Sequence, residues 1–299
     1  MTGATSQTAS PSGGSHLPYV LMVLSAGFCF SFVGLLTRLL EAASGWQVIA
    51  FRSLGVFVVV LAYVAVKHGR QSVPAFRAIG WRGVVGGCGL AFGSTCYVWA
   101  LFHTTVANTV LLFGALPFIN TLNAWMLLGE RPRSSSWFFL AAAFVGLSII
   151  VGGGVADGRL VGNLIALAGL IGFTTYTISA RHGRQRDMTP ALCVSALVAG
   201  AVAGTIAGGD PISTYDLMLC LLMGSGAVGA GYVLYTTAAQ RVRAGELSLI
   251  VNIELVLGPL WVAIVVSETP DWSTMMGGSL IVAAVIVQAV ISLRSSASH

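Results

Sequence analysis

Charge is what this sequence has least of. Only 8% of its 299 residues are Asp, Glu, Lys or Arg, against about 25% in a soluble domain, while 56% are hydrophobic and the mean hydropathy is +0.87. A soluble fold of this length could not solvate its surface with so few ionisable groups, which argues against a soluble enzyme, a nucleic-acid binder or a disordered chain. Cysteine is equally sparse. Cys29, Cys88, Cys96, Cys193 and Cys220 all lie in apolar stretches, their number is odd and no CxxC occurs, so neither a disulfide framework nor a metal site is expected. HExxH, GxSxG and GxxxxGK[ST] are missing too, which points away from an enzyme and from an ATP-driven pump, leaving a gradient as the energy source. No cofactor is implied. Residues 1–16 contain neither Lys nor Arg and are rich in Ser, Gly and Thr; without a basic n-region they read as a disordered cytoplasmic tail, not a signal peptide.

What the chain does have is apolar length. Segments long enough to cross a bilayer occur at 18–37, 46–66, 81–102, 105–128, 136–154, 160–180, 190–208, 216–238, 246–266 and 273–293. Ten such helices leave room for termini and short connections only, so the partners expected are the lipid bilayer and a small-molecule substrate, with no nucleic acid and no second subunit required. The basic residues orient the chain. With the N-terminus inside, 12 of the 15 Lys and Arg fall in inner connections or the C-terminal tail, among them Lys67, Arg70, Arg131, Arg184 and Arg241; Arg38 and Arg159 fall outside, and Arg52 lies within the second segment. That bias predicts cytoplasmic termini and an inner (plasma) membrane location.

The two halves resemble each other. Residues 100–132 align without a gap on 238–270 at a spacing of 138, pairing Glu130-Arg131-Pro132 with Glu268-Thr269-Pro270, Tyr97 with Tyr235 and Gly93 with Gly231. A second frame, at a spacing of 143, pairs Phe30-Ser31 with Phe173-Thr174 and Arg38 with Arg181. The expected organisation is therefore a tail (1–16), a first five-helix repeat (17–155) and a second (156–294). Five is odd, so the second repeat enters the membrane from the opposite side. The basic Arg131 and Arg133 after the first repeat's motif, against Asp271 after the second's, agree with that inversion. Inverted repeats are a transporter architecture, because exchanging the conformations of the halves moves the opening across the membrane.

Specific residues then carry a family likeness. Pro117-Phe118-Ile119, followed by Glu130 in the run Leu-Leu-Gly-Glu-Arg-Pro, resembles the signature closing the fourth helix of EamA-type repeats, and Arg52 resembles the arginine of their second helix. The second repeat keeps Ile253-Glu254-Leu255 before Glu268 but has Leu255 where the family often has proline, with Pro259 four residues later. The chain is thus similar to the drug/metabolite transporter superfamily. The resemblance implies an all-α integral membrane fold, and within the superfamily it extends to the YddG-type exporters of aromatic amino acids. The expected activity is secondary export of small amphipathic metabolites, aromatic or hydrophobic amino acids foremost, by alternating access. The alternatives are a multidrug or other metabolite carrier of the same fold, a channel, or an integral-membrane enzyme.

The candidate site residues are the polar and aromatic groups inside the membrane. Glu254 sits where a carboxylate costs about 2.5–3.5 kcal/mol on insertion scales; it is either a proton site or amine contact, or a hydrogen-bonded structural acid. Asn252 is its polar neighbour. Tyr97, Trp99 and His103 follow a glycine run in the third segment, Tyr232 and Tyr235 follow one in the eighth, and Tyr176 lies in the sixth. Glycines beside tyrosines leave either a cavity with an aromatic wall or a close helix contact. Arg52 reads as a substrate-carboxylate contact or, preferentially, as a structural residue that snorkels or caps carbonyls. Pro117 and Pro259 each remove a helical hydrogen bond and are the candidate hinges.

Overall fold

A computed structural model describes residues 17–129, 134–182, 187–238, 241, 242, 247 and 250–297. The expected tail and part of the Glu130 motif lie outside these residues. The described chain is helical: α1 (Leu17–Arg38), α2 (Gly45–His68), the short α3 (Ser72–Ala78), α4 (Gly80–His103), α5 (Val106–Phe113), α6 (Leu116–Leu128), α7 (Ser134–Ala156), α8 (Leu160–His182), α9 (Thr189–Ala207), α10 (Thr214–Leu222), α11 (Gly231–Ala238), α12 (Glu254–Val266) and α13 (Trp272–Ala297). A π-helical stretch, Met223–Ala230, joins α10 to α11 into one continuous rod. Among the described residues, eight helical segments are long and apolar enough to cross a membrane, matching the first eight predicted segments. The last two predicted segments contain the shorter apolar helices Glu254–Val266 and Trp272–Gln288.

Helix starts follow local chemistry. Ser44 and Gln47 form a capping box at α2, with Ser44 N–H donating to Gln47 Oε1 (2.9 Å) and Gln47 N–H to Ser44 Oγ (3.3 Å). Thr105 caps α5 and Ser213 caps α10, each hydroxyl accepting one backbone N–H, from Asn108 and Asp216. The connections at this end are tied together. The backbone N–H groups of Glu41, Ala42 and Ala43 all donate to the Asp216 carboxylate at 2.9–3.0 Å. Arg38 pairs with Glu268 (2.6 Å) and also donates to the carbonyls of Leu101 and Thr104, while Glu268 accepts from Val106 N–H. Arg159 pairs with Asp271. At the opposite end, Lys67 and His68 of α2 meet Asp187 ahead of α9, at 2.8 and 2.9 Å. Burial pushes the Asp187 carboxyl up, but hydrogen bonds from Lys67, Thr189 and His68 outweigh it and hold the group well below the usual carboxylate range.

Packing repeats between the halves. α4 packs on α8 and α1 on α11; α4 packs on α9 and α2 on the π stretch; α5 and α6 pack on α8 and α1 on α12. Each statement becomes its partner when every helix is replaced by its counterpart in the other half, while the contacts α2 with α9, α5 with α12 and α7 with α13 map onto themselves. Glycines permit the closest of these crossings. A Cβ at Gly93 would stand 2.6 Å from the Phe173 ring and 2.9 Å from Gly169 O, and Gly89 and Gly172 face each other across the same α4–α8 crossing. Gly224 lies against the Arg52 carbonyl and Gly231 against the Phe30 ring. The glycine runs are therefore helix contacts, not the floor of an aromatic cavity. Sequence spacing alone could not separate the two, because both need a missing side chain.

Two predicted helices are interrupted. The segment 105–128 breaks at Gly114–Ala115 and the segment 246–266 breaks at Asn252–Ile253. At the spacing of 138 these are the same position, and several of the bridging hydrogen bonds correspond, although Leu255 N–H also donates to Asn252 O where the first half has Pro117 and no N–H. Ala115 N–H donates to Leu112 O and Ile253 N–H to Ile250 O; Phe118 N–H donates to Ala115 O and Val256 N–H to Ile253 O. Pro117 falls in the first turn of α6, just after its break, where its missing N–H has no helical partner to lose. Pro259 lies inside α12, which runs on through it. The interruption in that half is seven residues earlier, so the matched break is set by the turn, not by proline.

Candidate functional site

Glu254 is placed by its break. It is the first residue of α12, where the positive end of the helix dipole favours an acid. The sequence reading put it mid-helix; the structure puts it at the start of a half-helix. Asn252, in the break itself, has a buried Nδ2 without a partner. The two breaks approach each other, since a Cβ at Gly114 would meet the Leu255 side chain at 3.0 Å.

Around this point the fold gathers part of the predicted set. Tyr97 lies within electrostatic reach of Glu254, Arg52 and Tyr232, and Tyr232 within reach of Arg52 and Glu254. Tyr235 reaches Glu254, and Tyr176 reaches both Tyr232 and Tyr235. None of these rings is exposed. Tyr97 meets Phe113 edge-to-face at 4.9 Å, Phe113 meets Phe173 at 5.3 Å, and Tyr232 meets Phe30 at 5.6 Å. Tyr235 packs with Val23, Ala238, Val242 and Leu247.

Trp99 and His103 stand apart from this group. Trp99 packs on Trp46 and over Gly45 at the first turn of α2, and His103 is exposed with Nδ1 at 2.9 Å from Trp99 O. They belong to the helix-end packing where α4 stops and α2 starts. Of the fourth segment's amides, Asn123 bonds its own helix at Ile119 O (3.1 Å), and Asn120 has a buried Oδ1 without a partner.

Arg52 is the residue the sequence reading undervalued. It does not snorkel: it is 4% exposed, its backbone is pressed against Gly224, and its guanidinium donates to the Ser94 carbonyl at 3.5 Å. Its guanidinium donates to Ser94 Oγ, and its buried Nε has no partner. No ion pair reaches it among the described residues. An intramembrane arginine costs about 2.5–3.5 kcal/mol on insertion scales, so a fold that buries one without a counter-charge holds a cation in reserve. The signal available in the sequence was its depth: Arg52 lies well inside an apolar segment, whereas Arg82 stands at the edge of one.

The EamA-like transporter family matches residues 17–152 and again residues 160–289, one copy for each half. The chain belongs to the EamA-like transporter family. It is 29% identical over 284 residues to the pseudopaline exporter of Pseudomonas aeruginosa, covering 89% of this chain and 94% of the exporter. It is 24% identical to the S-adenosylmethionine uptake transporter of Rickettsia prowazekii, over 81% of both chains, and 24% identical to the biotin transporter of Escherichia coli, over 89% of both. A solved crystal structure superposes with a TM-score of 0.68 at 20% identity, covering 93% of this chain and 99% of that one, which supports the fold alone. This EamA-like protein is thus a multi-pass inner-membrane transporter of small molecules.

Proposed function

We propose that this transporter is a secondary carrier that exports small amphipathic metabolites, aromatic or hydrophobic amino acids foremost, by alternating access. The observation that carries the reading is the pair of matched breaks, Gly114–Ala115 and Asn252–Ile253, with Glu254 opening the second half-helix beside Tyr97, Tyr232 and Tyr235. Broken helices at the interface of two repeats are where carriers of this kind hold substrate. Glu254 receives the amine and the rings receive the side chain, at about 0.5–1.5 kcal/mol per ring beyond burial. Ten spans, inverted halves and cytoplasmic termini complete the proposal, supported by the charge bias of the connections.

Uptake and counterflow in proteoliposomes across a panel of amino acids and drugs test the substrate class. Saturable counterflow of phenylalanine or leucine is the expected result, and flux without saturation or counterflow rejects a carrier. Topology is read separately. A membrane-impermeant thiol reagent should label a cysteine near Asp210 only from outside and one near Arg184 only from inside; labelling both from one side rejects inversion.

A second reading, a carrier of lipophilic drugs, draws on a different feature. A groove of ≈ 370 Å³, lined by Leu24, Asn252, Val256, Val282 and Ile286, runs along the α12 break. Leu24, Val256 and Ile286 are exposed along it, so an apolar compound in the bilayer has a direct path to Asn252. Counterflow by cationic drugs but by no amino acid favours this reading.

A further inference from the structure

A small hole of ≈ 10 Å³, about the room of one water, lies beside Arg52. Its position is set by the repeat. At the spacing of 143, Arg52 corresponds to Ser195 and Val56 to Ala199; at the spacing of 138, Ser94 corresponds to Tyr232. All six residues line this hole. A void walled by both members of successive equivalent pairs sits on the axis that relates the halves, where α2 crosses α9. The chemistry on that axis is one-sided. The first half supplies a guanidinium, 4% exposed, with an unpartnered Nε; the second supplies hydroxyls, and no carboxylate pairs with the cation among the described residues.

We propose that Arg52, with Ser94 and Tyr232, is the carboxylate subsite of the transported molecule. This rests on the carrier reading above and narrows it: the substrate bears an acid group that the halves enclose on their axis. A guanidinium stays charged at any physiological pH and offers its donors as a planar fork, which matches the two oxygens of a carboxylate. Ser94 Oγ accepts from the guanidinium and so fixes the plane of that fork. In the conformation seen the hole admits one small group, so the carboxylate enters when the halves part and is enclosed when they close. Glu254, also within electrostatic reach of Tyr97 and Tyr232, takes an amine. Opposite charges on one substrate then answer Arg52 and Glu254.

Ligand-induced thermal shifts of the purified full-length protein in detergent test this with matched pairs, phenylalanine against phenylalaninamide and phenylacetate against phenylacetamide. Each acid is expected to stabilise the protein with an apparent Kd at least about tenfold lower than its amide, and Arg52→Gln to remove that preference while leaving the amide response unchanged. Arg52→Lys keeps the charge but not the fork, and an intermediate preference is expected. If Arg52→Gln does not fold, Ser94→Ala is expected to weaken acid binding about three- to tenfold and amide binding little. Equal responses to acid and amide in the wild type overturn the assignment, as does a preference that survives Arg52→Gln, or unchanged acid binding in Ser94→Ala. A full shift from sodium chloride alone also overturns it, since the subsite would then answer to any anion. A response to phenylacetate but not to phenylalanine upholds the subsite and rejects the amino-acid substrate.

Discussion

The two halves of this transporter share a backbone plan and divide its chemistry. Both interrupt a helix at the same repeat position, with several equivalent bridging hydrogen bonds. Yet the break at Gly114–Ala115 opens a helix with Leu116, whereas the break at Asn252–Ile253 opens one with Glu254. The second helix of each half shows the reverse division, with Arg52 in the first and Ser195 in the second. Each half carries one of these two charges and an uncharged residue at the place of the other. In the proposed alternating-access mechanism, symmetry governs the motion that both halves perform alike, while recognition is free to be asymmetric because the proposed substrate has two different ends.

Moving the acid between the halves should break this comparison most sharply. Glu254→Gln is expected to reduce uptake at least about tenfold, a loss of about 1.4 kcal/mol or more in binding terms. Leu116→Glu combined with Glu254→Leu restores the acid at the equivalent position, and transport should stay lost. Recovered uptake in that double variant would mean that the halves are chemically interchangeable.

The next contrast concerns glycines that look alike in sequence. Gly172 faces Gly89 and Gly93 of α4, whereas Gly152 has open space where a side chain would project. Gly172→Ala should destabilise the protein by about 1–3 kcal/mol through overpacking, and Gly152→Ala should stay within about 0.5 kcal/mol. Detergent melts read both. Equal effects would indicate that the α4–α8 crossing can slide apart without loss.

Tyr97 and Tyr235 occupy equivalent positions but unequal surroundings. Tyr97 reaches Arg52 as well as Glu254 and touches Phe113 beside the first break; of the two charges, Tyr235 reaches Glu254 alone. Tyr97→Ala is expected to weaken transport of aromatic substrates about three- to tenfold, and Tyr235→Ala to do so less. Matching losses in the proteoliposome assay would make the pair a symmetric wall.

The smallest effect is expected where the two ends of the bundle differ. The Asp187 pairs with Lys67 and His68 are half-buried and worth at most about 1 kcal/mol. Because the folded carboxyl titrates below its unfolded value of about 3.9, this stability is present above that value and is lost as pH falls through the folded pKa. Asp187→Asn should therefore lower the melting temperature slightly at pH 7, by the same margin at pH 5. A margin that vanishes between those values would assign the tie to another group.

The class of molecule and its doubling follow from the residues alone. Hydrophobic length demands a bilayer, since no other solvent accepts so many apolar helices with so few charges. The spacings of 138 and 143 placed equivalent residues in register without reference to packing. They reach the level of single hydrogen bonds at the breaks, because a repeated sequence repeats its local geometry. Glu254, Tyr97, Tyr232 and Tyr235 were legible as polar or aromatic groups out of place in an apolar setting. The packed bundle sets where the helices break, since neither Gly114–Ala115 nor Asn252–Ile253 holds a proline and both prolines lie downstream. It alone decided that the glycine runs are contacts, because a missing side chain leaves a cavity or admits a neighbour according to what lies opposite. And it alone raised Arg52 from a helix-end residue to the buried cation on the repeat axis: depth and the lack of a partner are properties of the packed bundle, not of the residue's place in the chain.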